Sequence, residues 1–414
     1  MKKIYLLLLL PLFLWSEGLK DLILYAQTHN HQIKALEYGS QAKEKSLEST
    51  QSEYLMPTIS VGGSLRSQTP ASPFQAQETV TGYGQIAIDL YDGGKLSAEI
   101  SQKKNELKAS QFDESYNKKA LAVSIVNNFY NIKNQEALLQ AQYEEQKELE
   151  AQISRVETFH RARLATIDQV DKIKSSYANN AYQITASKQN IFELKKSLGL
   201  KLGREVNQLQ NSRIVEPQAI DTQEELNDNI KSLDATATAL RDTASSLDAA
   251  YKPQVQLSDT FSLYEYYHED SNPLIENVNY QNSLMLTVNM QLFDNGAVKK
   301  QKQSLMRQHQ AMQSQIDQAK EEQNNNRAIA FSQIETAKEK IHSANVALEA
   351  TQSVYQMIEQ KFEAKIVDNI TYLDALSQKT SAASQYQIAL NSLEVAKANY
   401  YFQLGLNIEE YINE

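Results

Sequence analysis

Neither glycine nor proline occurs between Gly94 and Gly199, and neither occurs between Gly296 and Gly405. A glycine in a helix interior costs about 1 kcal/mol and a proline about 3 kcal/mol relative to alanine. Two breaker-free stretches of roughly a hundred residues, rich in Ala, Gln, Glu, Lys and Leu, therefore predict very long helices. In the second, Ile341, Ala344, Leu348, Thr351, Tyr355, Ile358 and Phe362 fall at alternating steps of three and four, the spacing of a coiled-coil seam. In the first, Leu121, Ile125, Phe129, Ile132 and Leu139 mark a less regular stripe. Helices are expected at about 95–160 and 167–199, at about 370–404, and in shorter form at about 19–53 and 221–251. The first of these would run about 100 Å at 1.5 Å per residue.

The breakers gather where the apolar period drops to two. Strands are expected near 57–67, 80–91, 253–267 and 283–293. In the last, Leu284, Leu286, Val288, Met290 and Leu292 oppose Thr287, Asn289 and Gln291. Each strand has about the ten residues that a tilted membrane strand needs. Tyr83, Tyr91, Phe261, Tyr264, Tyr266, Tyr267 and Phe293 are candidate interfacial aromatics. Alternation alone would favour a soluble sheet half buried on helices, since barrel signals are weak in any one segment.

The strands and helices come twice. "LYDGG" (90–94) returns as "LFDNG" (292–296), and Tyr54 and Pro57 before the first strand return as Tyr251 and Pro253 before the third. Phe159, Ile167, Val170 and Asp171 pair with Phe362, Ile370, Leu373 and Asp374, each 203 positions on, and "SLGL" (197–200) pairs with "QLGL" (403–406). One domain, 17–414, made of two repeats (about 17–215 and 216–414), is expected. Gly94-Lys95 is no phosphate loop, because Asp89 stands where the first glycine belongs and Leu96 where Ser or Thr belongs. Asp92 and Asp294 instead occupy the place of helix N-caps, with Gly93, Gly94 and Gly296 bending the chain from strand to helix.

Residues 1–16, with Lys2 and Lys3 ahead of an apolar run from Ile4 to Trp15, are expected to be a secretory signal peptide. The chain has no cysteine, which rules out disulfides, thiol chemistry and a cysteine-borne lipid anchor. Its net charge of −10 disfavours nucleic acid as a partner. Six scattered histidines, His29 and His31 among them, form no metal or catalytic constellation, so neither an enzyme nor a cofactor is indicated. The loops around Pro70, Pro73 and Pro273 join the strands of each hairpin and are expected to face outside the cell.

Taken together, the repeats, the Pro-led hairpins and the LYDGG and LFDNG joints resemble the TolC-like outer-membrane efflux protein family. The resemblance spans nearly the whole chain. It implies a mainly α fold with a small β part: long helical hairpins forming a periplasmic tunnel, and four membrane strands per chain contributing to a trimeric twelve-stranded barrel. It further implies a homotrimer in the outer membrane of a Gram-negative cell. Such a trimer works with a periplasmic adaptor and an inner-membrane pump in tripartite efflux or type I secretion. The family's hairpin tips, its periplasmic entrance and adaptor dock, correspond to "FHRARLATIDQV" (159–170) and "FEAKIVDNITYLDA" (362–375). Docking residues carry over to Ala162, Arg163 and Leu164, and to Lys365, Ile366 and Val367. Constriction residues carry over to Asp168, Asp171, Thr371 and Asp374. The family's turn glycines fall on Ala162 and Lys365, its second entrance aspartate on Thr371 and its locking arginine on Val367. The rival reading is a structural coiled-coil or adaptor protein of the periplasm without a pore. An adaptor would carry a compact β-rich module inside its hairpin, and 95–198 and 297–404 have none.

Overall fold

The computed structural model describes residues 18–54, 56–69, 76–206, 208–217, 225–267 and 278–413. The expected signal peptide and the loops around Pro70, Pro73 and Pro273 lie outside these residues. Four helices carry about half of the chain: α3 (Lys95–Arg161), α4 (Ile167–Leu202), α6 (Ala297–Glu363) and α7 (Asn369–Gln403). The two long ones, α3 and α6, have 67 residues each. Shorter helices are α1 (Leu19–His29), α2 (His31–Ser52) and α5 (Asp228–Ser246), the last running into a 3-10 turn at Leu247–Tyr251. The helix expected at 19–53 is thus two. Asn30 breaks it by adopting an extended backbone, accepting from the N–H groups of Gln32 and Ile33 on its side chain and donating to the Lys201 carbonyl.

The strands are β1 (Thr58–Ser67), β2 (Glu78–Tyr91), β4 (Gln254–Tyr267) and β5 (Tyr280–Asn289), in one antiparallel sheet of order β1-β2-β4-β5. The sheet is open, with β1 and β5 at its edges. The fourth strand begins three residues before the expected Ser283 and ends at Asn289 rather than Phe293. Its partner β4 begins at Gln254, opposite Asn289, so the residues beyond Asn289 have no strand to pair with. A second sheet pairs two short strands that the sequence pattern does not announce, β3 (Arg213–Ile214) and β6 (Ile412–Asn413).

The described backbone groups into two compact units, each drawing on both repeats: the described residues within 18–36, 114–228 and 319–413 in one, and those within 37–113 and 229–318 in the other. The first unit holds the main core, where Leu22 and Ile23 of α1 meet Ile125, Phe129 and Ile132 of α3, Leu198 and Leu202 of α4, and Tyr401 of α7. The α3 stripe read from the sequence is therefore its core face. The seam on α6 holds too: Tyr355 is buried, and Ile341, Ala344, Leu348, Thr351, Ile358 and Phe362 are all half-buried. Polar ties close the same unit. Lys119 bridges Asp228 (2.6 Å) and the Gly405 carbonyl (2.7 Å), while Gln323 and Arg327 donate to the free carbonyl of Gln403 at the end of α7. In the second unit, Asp242 of α5 accepts from Ser101 and Asn105 of α3, and Asp248 pairs with Lys302 of α6.

One offset orders both repeats. Eight described residues have positive φ, and they form four pairs, each 202 positions apart: Gly93 with Asn295, Gly94 with Gly296, Arg163 with Lys365, and Gly203 with Gly405. The offset of 203 near the tips is therefore one residue out of register. Val170 and Ile173, both buried, correspond to the buried Tyr372 and Ala375. Asp374 then corresponds to Lys172, and Asp171 to Leu373. The glycine matching Gly405 is Gly203, which ends α4 in the left-handed conformation, and not Gly199 inside the helix.

Candidate functional site: the sheet face, the joints and the hairpin turns

Strand register sorts the sheet's side chains onto two faces, because residues two apart share a face and directly paired residues do too. Ile59 pairs with Ile86, Leu65 with Val80, Leu257 with Ile88 and Leu286, and Val255 with Val288. One face therefore carries Ile59, Val61, Leu65, Val80, Ile86, Leu90, Phe261, Leu263, Leu284, Leu286 and Val288, all exposed, with Val61 at 85% and Leu284 at 71%. The other face carries Thr58, Ser60, Ser64, Thr81, Gln85, Gln256, Ser258, Thr260, Ser262, Ser283, Thr287 and Asn289. A continuous apolar face across four strands far exceeds what proteins leave in contact with water. Asp259, Glu265 and Asn282 interrupt it, and Asp259 is the one among them with a buried, unbonded oxygen, its Oδ1. Asp259 stands between Ile86 and Leu284. Of the candidate interfacial aromatics, Tyr264, Tyr266 and Tyr267 lie at one end of β4 and Tyr91 ends β2, but Tyr83 and Phe261 sit in mid-strand.

The strand-to-helix joints are built alike. Asp92 accepts from Gly94 N–H (2.8 Å) and Leu96 N–H (2.5 Å); Asp294 accepts from Gly296 N–H (2.8 Å) and Val298 N–H (2.7 Å). Neither aspartate is itself the N-cap residue. Gly94 and Gly296 directly precede the helices, and their carbonyls accept from Ala98 and Lys300. Each aspartate reaches over two left-handed residues to satisfy the helix's free N–H groups. The 3-10 turn before β4 ties to both joints: Tyr251 donates its hydroxyl to Asp294 (2.7 Å), and Lys252 donates to the Gly93 carbonyl (2.9 Å). The N–H of Val298 and the Tyr251 hydroxyl hold the Asp294 carboxyl below the usual carboxylate range, and the same bond raises the Tyr251 phenol.

The hairpin turns also match. Arg163 N–H bonds the His160 carbonyl and Leu164 N–H the Phe159 carbonyl; Lys365 and Ile366 repeat both bonds to Phe362 and Lys361. In each turn a basic residue takes the left-handed position that glycine favours. The turn position is thus Arg163 rather than Ala162, while Lys365 stands as expected. The two turns are neighbours: the Lys365 ammonium lies 4.7 Å from the Phe159 ring, Arg155 pairs with Glu363 at 3.0 Å, and Asn369 donates to the Gln169 carbonyl. Beneath them Leu149, Val156, Val170, Ile173, Tyr355, Tyr372 and Leu376 form a buried cluster. Leu164, Ile366 and Ile370 are exposed, and Val367 is half-buried.

Asp168 and Asp171 lie exposed on the first turns of α4, and Asp374 lies exposed on α7, accepting from Gln378. Thr371 is exposed as well, and it is tied to the start of α7: Asp368, the N-cap, accepts from both its N–H and its hydroxyl. Those two bonds hold the Asp368 carboxyl below its ordinary range. The signal for this cap was the Asp-x-x-Thr spacing. Nothing in the sequence marks the Tyr251–Asp294 or Arg155–Glu363 ties, which join segments far apart in the chain. Among the described residues no group of His, Cys, Asp and Glu could hold a metal, and His29 is stacked on Tyr25. No described helix is long and apolar enough to cross a membrane.

These parts define a class: a repeat protein in which each β-hairpin with one apolar face feeds one very long helical hairpin through an Asp-x-Gly joint. Residues 219–406, a little under half of the chain, match the family model described as outer membrane efflux protein. The fold agrees over almost the full length. CusC, in a structure concerned with folding and transmembrane channel formation, superposes with a TM-score of 0.80 at 14% identity, covering 94% of this chain and 92% of that one. VceC, an outer membrane protein of Vibrio cholerae, gives 0.78 at 13%, with 94% and 96% covered. The Campylobacter jejuni CmeC outer membrane channel gives 0.80 at 13%, with 94% and 85% covered. A search of curated protein sequences finds no match.

Proposed function

We propose that this chain is the outer-membrane exit duct of a tripartite efflux or type I secretion system, working as a homotrimer with a periplasmic adaptor and an inner-membrane pump. The observation that carries the proposal is the sheet: one apolar face, one polar face, and two free edges. Lipid tolerates no unpaired strand edge, so such a sheet can enter a bilayer only as part of a closed ring. Edge β5 of one copy against edge β1 of the next closes that ring, and three copies of a four-stranded sheet give twelve strands, enough to enclose a lumen.

On this reading residues 1–16 are removed on export, and 17–414 is a single channel domain. The turns at Ala162–Arg163–Leu164 and Lys365–Ile366–Val367 dock the adaptor. The neighbouring acids Asp168, Asp171 and Asp374, with Thr371 beside them, lie near the constriction. Outer membranes from cells making the protein test the proposal. Membrane strands in a closed barrel resist detergent at room temperature, so unheated and boiled samples should migrate differently on a gel. Recovery of the chain in the soluble periplasmic fraction, with identical migration, would favour the pore-free coiled-coil reading.

A further inference from the structure

Between α3, α7 and β3 lies a cavity of about 550 Å³, and all its lining residues belong to one compact unit. Its size falls inside the span of about 300–1,000 Å³ typical of small-molecule sites. We propose that it binds a small organic anion, a carboxylate carried on a compact apolar body.

The charge of the wall points that way. Lys133, Arg213 and Lys397 line the cavity against Glu136 and Glu394, an excess of one positive charge in a chain whose net charge is −10. Both carboxylates are already matched. Glu394 lies 2.8 Å from the Lys397 ammonium, and Glu136 lies 3.6 Å from Lys133. The lysines are held in turn by backbone, Lys397 by the Ile214 carbonyl (3.0 Å) and Lys133 by the Leu209 carbonyl (2.7 Å). Arg213 has no such partner: among the described residues its guanidinium makes no hydrogen bond and no ion pair.

Two amides lining the same cavity, Asn211 beside β3 and Gln387 across from it on α7, are likewise without hydrogen-bond partners among the described residues. One guanidinium and two amides, all three open to solvent, thus line one space. A guanidinium offers paired N–H groups at the spacing of a carboxylate's oxygens, and the amides supply further donors. Leu390, Leu393 and Ala137 give the same cavity an apolar side that a bare inorganic ion would leave unused. None of the hairpin-turn residues takes part, and the inference does not depend on the channel reading.

Calorimetric titration of the purified full chain in detergent tests it, with salicylate as the probe and salicylamide as its uncharged counterpart. Salicylate should bind saturably and salicylamide should not. A charge-assisted hydrogen bond is worth enough that Arg213→Gln should weaken salicylate by roughly 10-fold or more. Gln387→Ala, on the opposite wall, should weaken it less, and both variants should keep the wild-type circular dichroism. No saturable salicylate binding to the wild type would overturn the proposal. Equal affinity for the two probes would do the same, and so would unchanged affinity in a folded Arg213→Gln.

Discussion

Arg163 and Lys365 hold a backbone conformation that a β-carbon disfavours by about 1–2 kcal/mol, and each does so at the turn of a hairpin. Glycine would remove that strain while giving back about 0.5–1 kcal/mol of chain entropy. Arg163→Gly and Lys365→Gly should therefore each raise stability by about 0.5–1 kcal/mol, read as a higher midpoint of thermal unfolding. Lys365→Gly should gain less, because it also loses the cation–π contact with Phe159. At the first joint the sign reverses. A β-carbon on Gly93 would meet the Ala249 carbonyl and Lys252 Cβ at 3.0 Å, whereas Gly94 has open space around it. Gly93→Ala should thus lower the midpoint clearly more than Gly94→Ala, and equal losses would show that φ alone matters there. The second joint is sensitive to acid. The folded Asp294 carboxyl is depressed, so its contribution is whole above the unfolded value of about 3.9 and fades as pH falls through the folded value. Asp294→Asn should flatten the loss of thermal stability below about pH 4; an unchanged acid limb would discard this account.

Element boundaries were readable wherever a period or a breaker marked them. The α6 seam and the α3 stripe needed only the apolar spacing, and three of the four strands fall within two residues of expectation. What the sequence hid has a physical reason in each case. Asn30 breaks α1 from α2 through its own side-chain bonds, without a glycine or proline to announce it. The tips slipped by one residue because Arg163 and Lys365 occupy the turn positions, so Phe159 and Phe362 offered a plausible but false pairing. The face of each strand, by contrast, followed from alternation, and it can be tested. On the apolar face, arginine at mid-membrane costs about 2–4 kcal/mol. Leu286→Arg should sharply reduce the heat-modifiable form, while Asn289→Arg on the polar face should change it little. Asp259→Leu should increase that form, since it removes an unsatisfied carboxylate from between Ile86 and Leu284. Equal losses from both arginines would mean a sheet buried on both faces.

At the scale of the assembled molecule, the proposed trimer would give the acids near the turns a role that a single chain does not. Around its threefold axis, each of Asp168 and Asp374 would become three carboxylates at one level. Rings of carboxylates draw cations and favour their passage. In the resemblance to TolC-like proteins the locking arginine falls on Val367, and among the described residues Asp374 has no cationic partner, only a hydrogen bond from Gln378. On the proposed reading its charge would be left to act on ions in transit. Asp168 sits in the first turn of α4, at the helix end that attracts negative charge. The register set by the turns matters too: because the counterpart of Asp374 is Lys172 and not Asp171, the two repeats do not contribute matching acids. The rings should act separately rather than as one sixfold band. In planar bilayers the purified protein should form cation-selective pores. Selectivity should weaken in Asp374→Ala and weaken further in Asp168→Ala/Asp374→Ala, while Asp171→Ala should have a smaller effect, since Lys174 already neighbours that carboxylate. An anion-selective pore, or selectivity unchanged in the double variant, would reduce these residues to solvated charges on the outside of the helices.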